Sequence, residues 1–247
     1  MEEREFELLG DVQDKHWLWL GRKKAMETLI KNHIAPCKGL KIADIGSGCG
    51  GNFEVLSQYG EVVGFEPSAK AIQIAQSKFP HIKMYRWKFP EKVNETFDLI
   101  LASEVLEHIP NDYEAVEWLF DHLKPNGHVL ITVPAHQYLW TQMDDVVHHQ
   151  RRYSRAQLQK LFTKFRVVRL SYYNFLLYPL KILLVIYDRI LKIARPNNQK
   201  QSFNQLPPPP INWVLSKISV FESLMLSRFS LPCGPSLILL AKKVSAD

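Results

Sequence analysis

The sequence predicts an α/β fold built on a largely parallel sheet with helices on both faces. Three observations carry that prediction. An apolar run at residues 41–45 enters a glycine-dense turn, Gly46-Ser47-Gly48-Cys49-Gly50-Gly51, which opens into helix-like sequence at 52–56. Short apolar strands then alternate with helical segments as far as residue 133. Two acids, Asp44 and Glu66, stand at the ends of the first two strands, the edge where such sheets bind ligands.

With 247 residues, 46% of them hydrophobic, the chain is long enough for one α/β domain with a sizeable core and an insertion, and short for two. The net charge of +6 is mild, and the basic residues thicken only at 151–200, among apolar ones. That mixture suits an anionic membrane surface or an acidic substrate at least as well as nucleic acid, and no nucleic-acid partner is expected. The three cysteines, Cys37, Cys49 and Cys233, follow no CxxC or zinc spacing, which predicts a reduced, cytoplasmic chain. The acidic start, Met1 to Glu5, has no apolar run behind it, so no secretory signal is expected.

A leading helix is predicted over 14–34, with Leu18, Met26, Leu29 and Ile30 at helical spacing. Its Trp17, Trp19 and Arg22 either staple the helix to the core or cover a bound ligand, which makes Trp19 and Arg22 candidate substrate contacts. After the glycine turn come strand 2 (61–66), a helix (68–79), strand 3 (82–86), strand 4 (97–102), a helix (112–124) and strand 5 (128–133). A short helix opens at Ser154, a good N-cap, before strand 6 (165–173), and a last strand covers 235–243. Ligand-edge chemistry should therefore concentrate at 46–51, 66–68, 86–90, 103–109 and from 134 onward.

The stretch between strand 6 and the last strand is too long for a hairpin and reads as an insertion hanging over the site. Residues 175–194 are strongly apolar, yet Lys181, Asp188, Lys192 and Arg195 share one helical stripe. This predicts an amphipathic helix and not a spanning one. Residues 196–210 read as a linker, and a second amphipathic helix follows at 212–229 with Val214, Ile218, Phe221 and Met225 on one face. The pair would serve as a lid, a membrane-docking arm or a dimer interface.

Glycines in such a turn let a ligand touch bare backbone, the helix start favours an anionic group, and an acid after strand 2 is placed for ribose hydroxyls. Gly46, Gly48 and Gly51 also satisfy the dinucleotide pattern, but Asp44 precedes the first glycine and no hydride-transfer constellation is evident. Four motifs in order resemble those of class I S-adenosylmethionine-dependent methyltransferases: Asp44-x-Gly46-x-Gly48-x-Gly50, Glu66, the stretch from Phe97 to Ile109, and that from Leu123 to Ile131. The resemblance implies a Rossmann-like seven-stranded sheet of order 3-2-1-4-5-7-6 with strand 7 antiparallel. It divides the chain into a methyltransferase domain, 1–173 plus 233–247, and a helical insertion, 174–232.

By the same resemblance the cofactor is S-adenosyl-L-methionine, with its methionine part along Asp44, Gly46, Ser47, Gly48 and Gly50. Its ribose would sit on Glu66 beside Pro67, and Ser103 and Glu104 would border both cofactor and acceptor. Where the family often carries an acid after strand 3, this chain has Arg86-Trp87-Lys88-Phe89-Pro90, so adenine would meet backbone or Trp87. The E-x-x-E-H arrangement of Glu104, Glu107 and His108 resembles the magnesium-associated motif of ubiquinone-pathway O-methyltransferases; the alternative is a strand end that caps and packs the next turn. His108 is the stronger active-site candidate.

His149, Arg151, Arg152 and Tyr153 resemble the H-x-R-R-Y segment of bacterial glycan- and lipid-associated methyltransferases. Asp144 or His149 would act as base, and Arg151, Arg152 and Tyr153 would bind the acceptor, unless the arginines pair with Asp144 and Asp145 to pin the loop. His136, His148 and His149 follow no familiar zinc spacing. The expectation is methyl transfer to an O or N nucleophile of a small or lipid-linked acceptor, at peripheral membrane contact on the inner face or in a homodimer. The alternatives are a non-catalytic protein that binds a partner or membrane through 174–232 and, behind it, a nicotinamide enzyme.

Overall fold

The structure, a computed structural model, describes residues 3–34, 39–194 and 206–244, with side chains from Phe6 and omitting those of 191–194. Cys37, Arg195, the linker at 196–205 and the Lys192 side chain lie outside the described residues.

Leu40–Ile45 (β1) is buried at every position except Lys41, as a strand covered on both faces must be. It pairs in parallel with Gly60–Glu66 (β2) on one side and Phe97–Ser103 (β4) on the other. Lys83–Arg86 (β3) extends the sheet beyond β2, and Leu123–Pro134 (β5) beyond β4. Ser236–Lys243 (β7) runs antiparallel between β5 and Phe165–Tyr173 (β6). The seven-stranded order β3-β2-β1-β4-β5-β7-β6 is the one expected. Because β1 has neighbours leading away in both directions, the crevice at its carboxyl end is the natural ligand site.

The helices, in chain order, are Glu3–Val12 (α1), Trp17–His33 (α2), Phe53–Leu56 (α3), Ala69–Lys78 (α4), Asp112–Asp121 (α5), Gln142–Val146 (α6), Arg155–Leu161 (α7), Tyr178–Ala194 (α8) and Pro209–Met225 (α9). The predicted helix at 112–124 stops at Asp121 because Leu123 already pairs with Phe97; a register shift absorbs Asn126, whose φ is 64°, before regular pairing resumes at His128. Helix α1 is unpredicted. Phe6 and Leu9 bury themselves against Cys49 and Ala71, so α1 lies over the glycine turn.

The insertion leaves β6 at the ligand edge, as expected, but both its helices turn their apolar residues outward. On α9, Ser219, Glu222 and Ser223 are buried while Val214 and Phe221 of the predicted apolar face are exposed. The reason is the partner: α9 packs on α2 at Gly21, where Ser223 Oγ donates to the Gly21 carbonyl at 2.9 Å and a side chain at Gly21 would collide with Ser219. Small polar residues allow that close approach and bulky apolar ones do not.

Candidate active site

Gly46 and Gly48 take φ of 65° and 53°, conformations that suit glycine, and a Cβ on Gly46 would come within 2.7 Å of Val105. The turn presents Asp44, fully buried at the end of β1. Its Oδ2 accepts weakly from Asn52 Nδ2 at 3.4 Å, and its Oδ1 has no hydrogen-bond partner among the described residues. Ser47 Oγ, also buried, has none either. Burial pushes the Asp44 carboxyl up to about 7, with the Asn52 bond opposing and Glu66 adding to the rise. Glu66 accepts from the backbone N–H of Gly48 and of Ser68, each at 2.9 Å; burial raises its pKa against those bonds. Pro67 gives its carbonyl to Arg86 Nε at 3.4 Å. Trp87 is held in an aromatic group with Phe65, Phe89 and Trp118, its buried Nε1 without a partner among the described residues.

Across the crevice Ser103 Oγ shares a hydrogen bond with Thr132 Oγ1 at 2.8 Å. Glu104 follows with φ of 58° and meets Arg22 at 3.2 Å. Arg22 is itself buried, donates to the Tyr173 hydroxyl at 3.3 Å, and stacks its guanidinium over Trp19 at 4.7 Å. Burial alone would lower the Arg22 pKa, but Glu104 and Tyr173 hold it above its ordinary value. Trp19, Arg22 and Glu104 thus form one wall.

The second cluster surrounds Asp144. Arg152 bridges both its oxygens, at 2.8 and 3.0 Å, and His149 Nδ1 lies 2.8 Å from Oδ1. Burial would raise the Asp144 carboxyl, but His149 and Arg152 hold it well below the usual carboxylate range. A carboxylate so held is a poor general base. Arg152 also donates to the Ala135 carbonyl at 3.1 Å, so the arginine pins the loop, as in the second of the two readings of this segment. Arg151 pairs with Asp112 at 2.7 Å in place of the anticipated Asp145, and donates to the Pro110 carbonyl. Tyr153 donates to Leu106 O or Asp112, at 3.2 and 3.0 Å. These contacts occupy the H-x-R-R-Y segment within the fold.

His149 remains, its ring centre 4.8 Å from that of His108 and its Nε2 3.8 Å from Glu107 Oε1. Glu107 is fully buried, with neither carboxylate oxygen hydrogen-bonded among the described residues; burial and Glu104 push its pKa well up, against Arg22 and Arg152. Burial and His149 lower the His108 imidazole to about 4. The donor atoms of Glu107, His108 and His149 lie within 4.8 Å of one another, while Glu104 turns to Arg22 and does not join them. Two nitrogens and one carboxylate do not fit magnesium, which takes oxygen ligands, and no step is derived through that ion. His136 stacks on Tyr172 at 5.1 Å, apart from this group.

Residues 18–166 match a family model described as a methyltransferase domain. The chain belongs to this family. Among curated relatives, the mitochondrial ubiquinone biosynthesis O-methyltransferase of Rattus norvegicus is 37% identical over 108 residues, 39% of this chain and 31% of the relative. The ubiquinone biosynthesis O-methyltransferase of Paramagnetospirillum magneticum is 34% identical over 100 residues, 38% of this chain and 40% of the relative. The match thus spans well under half the length of these relatives. The N-methyltransferase NodS of Bradyrhizobium japonicum, in complex with S-adenosyl-L-homocysteine, shares the fold at a TM-score of 0.54 and 14% identity, over 91% of this chain and 87% of that one.

Sequence reading missed two participants in the site: Gln13, which donates to the Cys49 carbonyl at 3.1 Å, and Tyr173 on Arg22. The spacing of Phe6, Leu9 and Val12 is the signal that could have found α1. Nothing in the sequence marks Tyr173 as a partner of Arg22.

Proposed function

We propose that this methyltransferase-family chain transfers the methyl group of S-adenosylmethionine to an oxygen or nitrogen nucleophile of a small or lipid-linked acceptor. One observation carries the cofactor: Asp44 Oδ1 and Ser47 Oγ are buried without partners beside a backbone turn at positive φ. A buried carboxylate lacking a cation is costly, and a ligand ammonium group would satisfy it. Glu66 keeps acceptor capacity on both oxygens for ribose hydroxyls, each having taken one backbone N–H. When bound, the cofactor supplies a sulfonium-activated methyl.

The names of the curated relatives favour an oxygen acceptor. A hydroxyl must lose its proton as it is methylated, and His149 is the residue in place to take it. Asp144 binds its Nδ1 and so favours the tautomer with the proton there, leaving Nε2 to accept. Arg152 holds Asp144 in turn, which makes Asp144 and Arg152 positioning residues. Trp19, Arg22 and Glu104 would border the acceptor, and the 174–232 insertion would complete its enclosure. Calorimetry with S-adenosylhomocysteine tests the cofactor: saturable binding below millimolar is expected, and no heat at millimolar ligand would sink the reading.

A further inference from the structure

Helix α8 is amphipathic in the reverse of the usual sense. The side chains it turns toward the protein are Leu177 just before it, then Tyr178, Lys181, Val185 and Asp188. Asp188 accepts from the Gln142 N–H at 3.3 Å, and Tyr178 hydrogen-bonds the Tyr138 hydroxyl. Turned outward are Leu180, Leu183, Leu184, Ile186, Tyr187 and Ile190, of which Leu183 is 64% exposed and Tyr187 61%. At 3.6 residues per turn the outward arc, from Ile182 round to Leu184, covers about 200°. Among the described residues the arc itself carries no charge; Arg189 is exposed at its border and donates to the Tyr138 carbonyl.

A partner helix covers a stripe of roughly 100°. An arc twice that width suits a medium that surrounds the helix to half its depth, as a bilayer interface does. No helix among the described residues is long and apolar enough to cross a membrane. Helix α9 repeats the pattern, burying Ser219, Glu222 and Ser223 while Trp213, Val214, Phe221 and Leu224 are exposed. Trp213 borders a groove of about 1010 Å³ between α2 and α9, with Lys217 over its ring at 5.7 Å. The lysines there, Lys15, Lys23, Lys24 and Lys217, outnumber the neighbouring carboxylates Asp14 and Glu27. Tryptophan beside lysine is the pairing found at lipid headgroups, and the surplus charge selects anionic ones.

We propose that the outward face of α8, with the exposed apolar residues of α9, docks this protein on a bilayer surface containing anionic lipid. The proposal is independent of the methyl-transfer reading. Its test is flotation of the full chain with phosphatidylcholine vesicles, with and without phosphatidylglycerol. The wild type is expected to float with the anionic vesicles, and the triple variant L183E/I186E/I190E to lose recovery about tenfold, with an unchanged circular dichroism melt. The pair W213S/F221S, on the other helix, is expected to lose recovery several-fold, and it decides the matter if the triple variant does not fold. Wild type that stays unbound to both vesicle types, or variants that float like wild type, would overturn the proposal. So would equal recovery on neutral vesicles, which removes the anionic lipid. A wild-type dimer by light scattering that the triple variant abolishes, without vesicle binding, would assign the face to a second copy.

Discussion

After β1 the chain turns through Gly46–Gly51 and leaves Asp44 Oδ1 and Ser47 Oγ buried without hydrogen bonds among the described residues. After β5 it wraps residues 136–153 around Asp144, whose two oxygens are bonded by Arg152, His149 and Thr141. Both carboxylates are buried, and both lie at the ligand edge of one sheet. Burial raises Asp44 to about 7, whereas the partners of Asp144 reverse the same push. The contrast teaches that an acid in a motif is a ligand site where its bonding capacity is left open, and scaffold where the fold has filled it.

The largest effect should come from the filled side. Asp144→Ala leaves Arg152 and His149 without their acid and is expected to lower unfolding free energy by about 3–5 kcal/mol, measured by urea denaturation. Asp44→Asn, by contrast, removes an open acid and is expected to leave folding stability within about 1 kcal/mol of wild type. Equal losses in the two variants would break the comparison.

The next effect is on turnover. His149→Ala is expected to reduce kcat about 100-fold with an oxygen acceptor while S-adenosylhomocysteine affinity by calorimetry stays unchanged. A parallel loss of affinity would mean that His149 shapes the cofactor site.

Asp44→Asn should weaken S-adenosylhomocysteine binding about tenfold or more, the scale of a charge-assisted bond. The pH dependence sharpens this. Asp44 is protonated below about 7 in the free protein and must release that proton to pair with an ammonium group. Affinity should therefore fall as pH drops from 7 toward 5 and level off above 7, and the slope should vanish in the Asp44→Asn variant.

A further effect is on the pH dependence of stability. His108 and His128 are lowered from 6.5 to about 4, by burial first, with His149 and Lys242 respectively adding to it. Between those values the unfolded chain binds protons that the folded one does not, so their contribution is present above 6.5 and is lost as pH falls toward 4. Thermal melts at stepped pH check the direction.

The alternating strands, the glycine turn and the paired acids Asp44 and Glu66 were legible because they rest on local pattern, apolar strands at regular intervals and glycine where φ must be positive, while the strand order came from the family resemblance. The partner of Arg151 was not legible. The sequence offered Asp145 as a partner for the arginines, yet Arg151 takes Asp112, from the start of α5. The apolar face of α9 was legible as a stripe, but a stripe carries no label for inside or outside.

The sequence by itself determined the α/β class and the position of the glycine turn, since backbone conformation and hydrophobic period are properties of neighbouring residues, and its ordered motifs carried the family resemblance. Only the tertiary structure decided which polar groups stay open and which way the insertion helices face. Arg22 reaches Glu104 and Tyr173, and Ser223 meets Gly21, across separations that no local pattern spans. Whether a buried polar group is satisfied depends on those distant partners, and that is the distinction that separates Asp44 from Asp144.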